Sequence, residues 1–308
     1  MPTEIELAAE YRAAETRLLA DFGLTAAERM VDAGDAQLHV IDIPGDPARP
    51  PVVLLHGIAS VTAAAVPLIP GFGGRRVIAL DWPGHGLSSA TTLHRHDIRT
   101  APVRWLQAVI DAYELETFEL VGHSMGGQFG LYYALAHPER VRSLTLLGAP
   151  GAAFAEMHPP AGMRIMAFPG VAGRMLRRPV TRAEYQDNSA MTLGPGAVEP
   201  WPPELVDCGY LASQREAFFT SLPSYFKAIA SPLGVRHGAV VTQTQLATLP
   251  MPVLLLWGDA DVFLTVARAT RSIAAIADAA VVELRGGHAP WLNAPEEARA
   301  AVARFLGG

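Results

Sequence analysis

Short, continuously apolar runs recur along the chain with helical patterns between several of them. Val52-Val53-Leu54-Leu55 has the form of a strand buried on both faces. Val77–Leu80, Phe118–Val121, Leu144–Leu147, Val253–Trp257 and Ala280–Leu284 read the same way, and Gln37–Ile43 alternates weakly up to the turn at Pro44-Gly45. Helical spacing covers about 98–114, 125–137, 265–278 and 296–306. Strands alternating with helices predict right-handed βαβ units, hence an α/β fold on a mostly parallel sheet. Before them, Ile5, Ala8, Ala9, Arg12, Ala13, Thr16, Leu19 and Ala20 form a stripe that predicts an N-terminal helix outside the sheet, with a packing role only.

The rhythm breaks between about 150 and 248. That stretch holds Pro159, Pro160, Pro169, Pro195, Pro200, Pro202 and Pro203 and many of the aromatic residues. A structureless loop of that length does not suit a compact domain. The expected division is therefore an N-terminal helix at 1–25, a core from 26–150 and 249–308, and an inserted helical cap at 151–248. Such an insertion would lie over the C-terminal ends of the strands, where open α/β sheets bind ligands.

Composition narrows the partners. Lys and Arg number 24 against 30 Asp and Glu, a net charge of −6, which disfavours phosphate-backbone binding. No apolar run reaches the roughly 18 residues of a membrane span. Met1–Glu6 is acidic and lacks the basic start of a secretory leader, and Cys208 is the single cysteine, so a cytoplasmic protein is expected. Oligomeric state is not readable from the sequence.

Gly122-His123-Ser124-Met125-Gly126 is a G-x-S-x-G pentapeptide between an apolar run and a helical pattern, the strand–turn–helix setting of a nucleophile elbow. Glycines two positions either side relieve crowding in a tight turn, and Gly127 adds clearance. The turn would expose Ser124 Oγ and leave the Met125 amide at a helix N-terminus, able to donate to a developing oxyanion. His56-Gly57 ends the run 52–55, and the next amide, that of Ile58, is the second expected donor. Trp257-Gly258-Asp259-Ala260-Asp261 supplies two candidate acids after a later strand, and Gly286-Gly287-His288 a candidate base after the last. Serine, acid and histidine each follow a predicted strand, in the chain order Ser, Asp, His. His85 is expected to fix a loop near the site. His94 and His96 have no metal-ligand spacing around them, and no metal or cofactor is expected. Arg174, Arg177 and Arg178 are expected on a solvated helix face, and Gly71-Phe72-Gly73-Gly74 lacks the preceding strand of a phosphate loop.

Taken in order, His56-Gly57, Asp81-Trp82-Pro83-Gly84-His85-Gly86-Leu87-Ser88, Gly122–Gly127, Trp257–Asp261 and Gly286–His288 resemble the α/β-hydrolase superfamily over about 26–150 and 250–308. The resemblance implies a mostly parallel eight-stranded sheet flanked by helices, with a lid between the sixth and seventh strands. It implies Ser124 as nucleophile, His288 as base and then acid, Asp261 rather than Asp259 as its orienter, and the Ile58 and Met125 amides as oxyanion hole. His56–Ser60 departs from the common H-G-x-x-G by lacking the second glycine. Haloalkane dehalogenases and epoxide hydrolases of this fold carry Asp where Ser124 stands, and carbon–carbon hydrolases often carry Asn where His123 stands. The expectation is a serine hydrolase cleaving an ester, lactone or thioester with a small to medium apolar acyl group. The insert is rich in Met and aromatic side chains able to adapt to such a group, Met157, Met163, Met166, Met175, Phe154, Phe168, Phe218, Phe219, Tyr225 and Phe226, although most of them are expected to pack the lid against itself. A carbon–carbon hydrolase acting on a diketone-like product, and a ligand receptor with residual turnover, are the alternatives.

Overall fold

The computed structural model describes residues 2–168, 170–193 and 201–307. Its strands are β1 (Ala27–Asp32), β2 (Gln37–Ile43), β3 (Val52–Leu55), β4 (Val77–Leu80), β5 (Phe118–His123), β6 (Val141–Leu147), β7 (Ala230–Ser231), β8 (Gly234–Val235), β9 (Val253–Gly258) and β10 (Ala279–Leu284). Eight of them form one sheet in the order β1-β2-β4-β3-β5-β6-β9-β10, while β7 and β8 make a separate small hairpin. Only the β1–β2 and β2–β4 pairs of the large sheet are antiparallel. The helices are α1 (Glu4–Asp21), α2 (Thr100–Ala112), α3 (Met125–Ala136), α4 (Ala161–Met166), α5 (Val171–Leu176), α6 (Arg182–Leu193), α7 (Pro203–Ser213), α8 (Glu216–Ile229), α9 (Gln243–Leu246), α10 (Thr270–Ala274), α11 (Pro290–Asn293) and α12 (Pro295–Phe305).

The continuous apolar runs form the sheet because both faces are covered. Side chains alternate across a strand, so Val53 and Leu55 enter one core with Trp105 of α2 and Phe129 of α3, while Val52 and Leu54 enter another with Tyr11 of α1 and Val302 of α12. Each fully buried aliphatic side chain contributes about 1.5–3 kcal/mol. Helices α4–α8 lie between β6 and β9, the sixth and seventh strands of the large sheet. Pro169, Pro195 and Pro200 of the proline-rich stretch lie outside the described residues.

Four expectations need correction. β1 was not expected: Ala27-Glu28-Arg29-Met30-Val31-Asp32 buries only Val31, so no apolar run announces it, and pairing to β2 alone defines it. β10 has one sheet neighbour, β9, and is not buried on both faces; its Val281 is well exposed. Of 265–278 only α10 is α-helical, its start preceded by turns around Thr265. Finally, α1 buries Leu7, Tyr11, Ala14, Glu15, Leu18 and Leu19, whereas Ile5 of the expected stripe is 82% exposed. The face is selected by α7 of the insert, against which α1 packs, and not by the local pattern.

That packing buries a carboxyl group. Tyr11 Oη donates to Glu15 Oε1 at 3.3 Å, and burial, reinforced by the Asp81 and Glu28 charges and opposed by His39 and the tyrosine bond, pushes Glu15 up to about 7. Near pH 4 the carboxyl is protonated whether the chain is folded or not. Between about 4.5 and 7 the unfolded chain releases a proton that the folded chain keeps, so stability falls as pH rises through that window. Glu15→Gln, which keeps the acceptor, should raise stability by about 1–3 kcal/mol at pH 8 and leave it nearly unchanged at pH 4. Thermal denaturation at the two pH values measures this, and an equal effect at both would contradict it.

Candidate active site

The site is assembled at the C-terminal ends of the parallel strands. β5 runs through Gly122 and His123, and Ser124 then reverses the chain into α3 with φ 51° and ψ −118°. A positive φ at a residue with a Cβ costs roughly 1–3 kcal/mol and persists only where the surroundings impose it. They do so here through crowding. A Cβ on Gly122 would stand 2.5 Å from the Gly126 carbonyl oxygen, and one on Gly126 would stand 2.4 Å from the oxygen of Leu55. The Ser124 amide donates to Leu147 O at 3.2 Å, which pins the turn to β6.

Two loops further along the sheet bring an acid to a base. His288 Nδ1 lies 2.8 Å from Asp261 Oδ2, with both side chains buried. Asp261 Oδ2 also accepts the Ala149 amide and Oδ1 the Phe263 amide, each at 2.9 Å. Burial raises the Asp261 carboxyl, but the His288 ring and the two amides outweigh it and hold the group below the usual carboxylate range. Asp259, the other acid of its loop, accepts the Gly286 amide at 2.9 Å instead. Trp257 Nε1 donates to Leu264 O at 2.7 Å and holds this loop closed. His288 Nε2 is buried and has no hydrogen-bond partner among the described residues, the Ser124 hydroxyl included. Ser124 and His288 nevertheless line the same cavity.

Ile58 and Met125 line it as well. Met125 opens α3, so its amide has no preceding turn to bond. The Ile58 loop is propped by two imidazoles. His56 Nδ1 donates to Gly57 O at 2.7 Å while its Nε2 accepts the Trp82 amide at 2.9 Å. His85 Nδ1 donates to Pro83 O at 3.1 Å while its Nε2 accepts the Ala59 amide at 3.1 Å, at a residue with φ 55°. Burial keeps both rings uncharged: His56 falls below its ordinary value, and His85, with His56 adding repulsion, falls to about 3.

Beside the serine, His123 donates from Nε2 to His288 O at 3.2 Å and stands edge-on to Trp291, ring centroids 4.7 Å apart. Burial holds it well below its ordinary value, hence neutral. A family model described as the alpha/beta hydrolase fold matches residues 50–295.

The chain belongs to the α/β-hydrolase-fold family.

Among relatives of this α/β hydrolase, a 2-hydroxy-6-oxo-2,4-heptadienoate hydrolase of Pseudomonas putida is 40% identical over 133 residues. The match takes 41% of this chain and 46% of that protein, so the chain spans about half the length of this curated relative. Carboxylesterase CesB of Bacillus subtilis superposes with a TM-score of 0.75 at 22% identity, covering 98% of this chain and 99% of the other. A 2-hydroxy-6-oxo-6-phenylhexa-2,4-dienoate hydrolase of Rhodococcus reaches 0.75 at 21% identity, covering 92% and 100%. At such identities the two structures speak to the fold alone.

Other residues marked in the sequence scatter. Met157 and Met163 line a small compartment beside Ser124, and Met166, Met175 and Phe218 line a larger one. Phe154 and Tyr225 are core residues. Arg177 pairs with Glu216, whereas Arg178 borders the larger compartment. His94 and His96 stack on each other at 5.3 Å and line neither compartment.

Sequence reasoning missed Phe263, whose ring lies 4.4 Å from that of His288, because its motif ended at Asp261. It also missed Gly148, although a glycine directly after an apolar run was the signal used at Gly57. Gly148 has φ 64°, and a Cβ there would meet His288 O at 2.5 Å and Asp261 Oδ2 at 3.3 Å. Gly148→Ala is therefore expected to cost about 1–3 kcal/mol of stability and to push the acid–base pair apart. A melting temperature unchanged from the parent would contradict this.

Proposed function

We propose that the protein is a serine hydrolase cleaving a carboxylic ester, lactone or thioester through an acyl-enzyme. The observation that carries the reading is the convergence on one cavity of a strained elbow serine, the two residues whose amides are expected to hold the oxyanion, Ile58 and Met125, and a buried imidazole already bonded to a carboxylate. Ser124 Oγ attacks the carbonyl carbon as His288 Nε2, otherwise unpartnered, takes the hydroxyl proton. Asp261 accepts from Nδ1, which leaves Nε2 as the basic nitrogen, and it stabilises the imidazolium that forms. The oxyanion accepts from the Met125 and Ile58 amides, each such donor being worth roughly 3–4 kcal/mol in comparable sites. His288 then protonates the departing alcohol or thiol. A water, deprotonated by the same nitrogen, attacks the acyl carbon and releases the acid and free Ser124.

Residues 151–248 act in this reading as a helical cap. The larger compartment between it and the strand ends has a volume of about 370 Å³ and carries Met166, Leu176 and Phe218, which favours an apolar group of small to medium size. A second reading, hydrolysis of a carbon–carbon bond in a dienoate product, is favoured by the 40% identity to the heptadienoate hydrolase over 133 residues. It uses the same serine, acid and base.

Ser124→Ala should lower turnover of p-nitrophenyl esters by at least about 10³-fold and abolish labelling by a fluorophosphonate, with the melting temperature within a few degrees of the parent. Asp261→Asn should cost about 10⁴-fold in kcat. Ester hydrolysis that survives Ser124→Ala would overturn the mechanism. Turnover of ring-cleavage dienoates with kcat/KM well above that of every ester would select the second reading.

A further inference from the structure

Two compartments meet at the nucleophile, and they are very unequal. Both include Ile58, Ser124, Phe263 and His288 in their walls. One has a volume of about 20 Å³ and the other about 370 Å³. A single water needs roughly 10–15 Å³ by this measure, so the smaller space takes one or two non-hydrogen atoms.

The smaller space is also stiff. Its wall at Gly151 and Ala152 is tied to α3 through Gln128, which is fully buried. Gln128 Oε1 accepts the Ala152 amide at 3.1 Å, and its Nε2 donates to Tyr132 Oη at 2.7 Å and to Ala239 O at 3.3 Å. The main chain can approach so closely because Gly151 has φ 52°; a Cβ there would stand 2.6 Å from Gln128 Oε1. Met157 and Ile229, both buried, also line this space. A wall held by a satisfied polar network inside a dense core does not yield to an extra carbon at low cost. The larger compartment is bounded differently, with side chains contributed by α4, α5, α6, α7 and α8, five separate helices of 6–14 residues.

We infer that the substrate is lopsided about its scissile bond: an ester in which one half is no larger than acetyl or methyl and the other is bulky. This rests on the hydrolase reading above and adds to it the size of each half. Met157 is a buried side chain of the small wall, as Ile229 is, and substitution can shorten it without touching the main chain, so it is the position at which the limit is tested.

The test is a panel on the purified full chain: 2-naphthyl acetate, butyrate and octanoate, together with the methyl and butyl esters of naphthylacetic acid. Turnover is counted only where Ser124→Ala abolishes it. Either the acetate or the methyl ester should be the best substrate. Within that series, lengthening the small half to four carbons should lower kcat/KM at least about 30-fold, in line with 10- to 200-fold per methylene in a tight pocket. Met157→Ala, or Met163→Ala should the first variant fold poorly, should recover at least about tenfold of that loss on the four-carbon ester. Ser124-dependent turnover within threefold across both series would overturn this inference while leaving the hydrolase reading intact. No Ser124-dependent turnover of any ester, and no fluorophosphonate labelling, would overturn both.

Discussion

The contact between His288 Nδ1 and Asp261 Oδ2, 2.8 Å long and shielded from water, ties together the ends of three strands. It joins the loop after β10 to the loop after β9. Through the Ala149 amide on the same carboxylate oxygen it also reaches the end of β6. A carboxylate buried this deeply is unfavourable unless it is satisfied. Here the imidazole and two amides satisfy it, and the glycine at 148 leaves room for His288 to sit beside the carboxylate. The loops are therefore shaped by one charge that must be satisfied, and the direction of the His288 ring follows from that requirement.

The other imidazoles around the serine are neutral for the same reason that this one has a carboxylate. His56, His85 and His123 are each buried without a directly bonded acid, so each stays uncharged and divides its two nitrogens between fixed partners, or donates from one of them, as structural hydrogen-bonding groups. The contrast with His39 is instructive. Its Nδ1 lies 2.8 Å from Asp81 Oδ2, and although burial works against it, the bond and the neighbouring acids raise its pKa. Asp81 also accepts the amide and hydroxyl of Thr62 at 2.9 and 3.0 Å. Polar contacts thus connect His39 of β2 through Asp81 to the segment that follows the Ile58 loop. Burial with a carboxylate gives a charged or orienting pair, and burial without one gives an inert prop.

Much of this architecture was legible in the amino-acid order because its signals are local. A continuous apolar run of four to six residues has no other economical use than a strand covered on both faces, and a glycine-flanked serine between a strand and a helix has few conformations open to it. Those features marked β3, β4, β5, β6 and β9, helices α2, α3 and α12, and the strand-end loops that carry Ser124, Asp261 and His288. What lacked a local signal was decided by neighbours. β1 is a strand only because β2 offers an edge. The buried face of α1 was chosen by α7, nearly two hundred residues away. The resemblance had favoured Asp261 over Asp259 as the partner of His288, but its physical cause is the closed loop that turns this carboxylate inward, and that closure uses Trp257 and Leu264. The unequal compartments could not be read from any motif, because they arise where Gln128 of α3, the turn at Gly151 and the buried ends of Met157 and Ile229 meet. Local order can specify which residues a strand delivers to its end; only packing across the whole chain sets the space left between them.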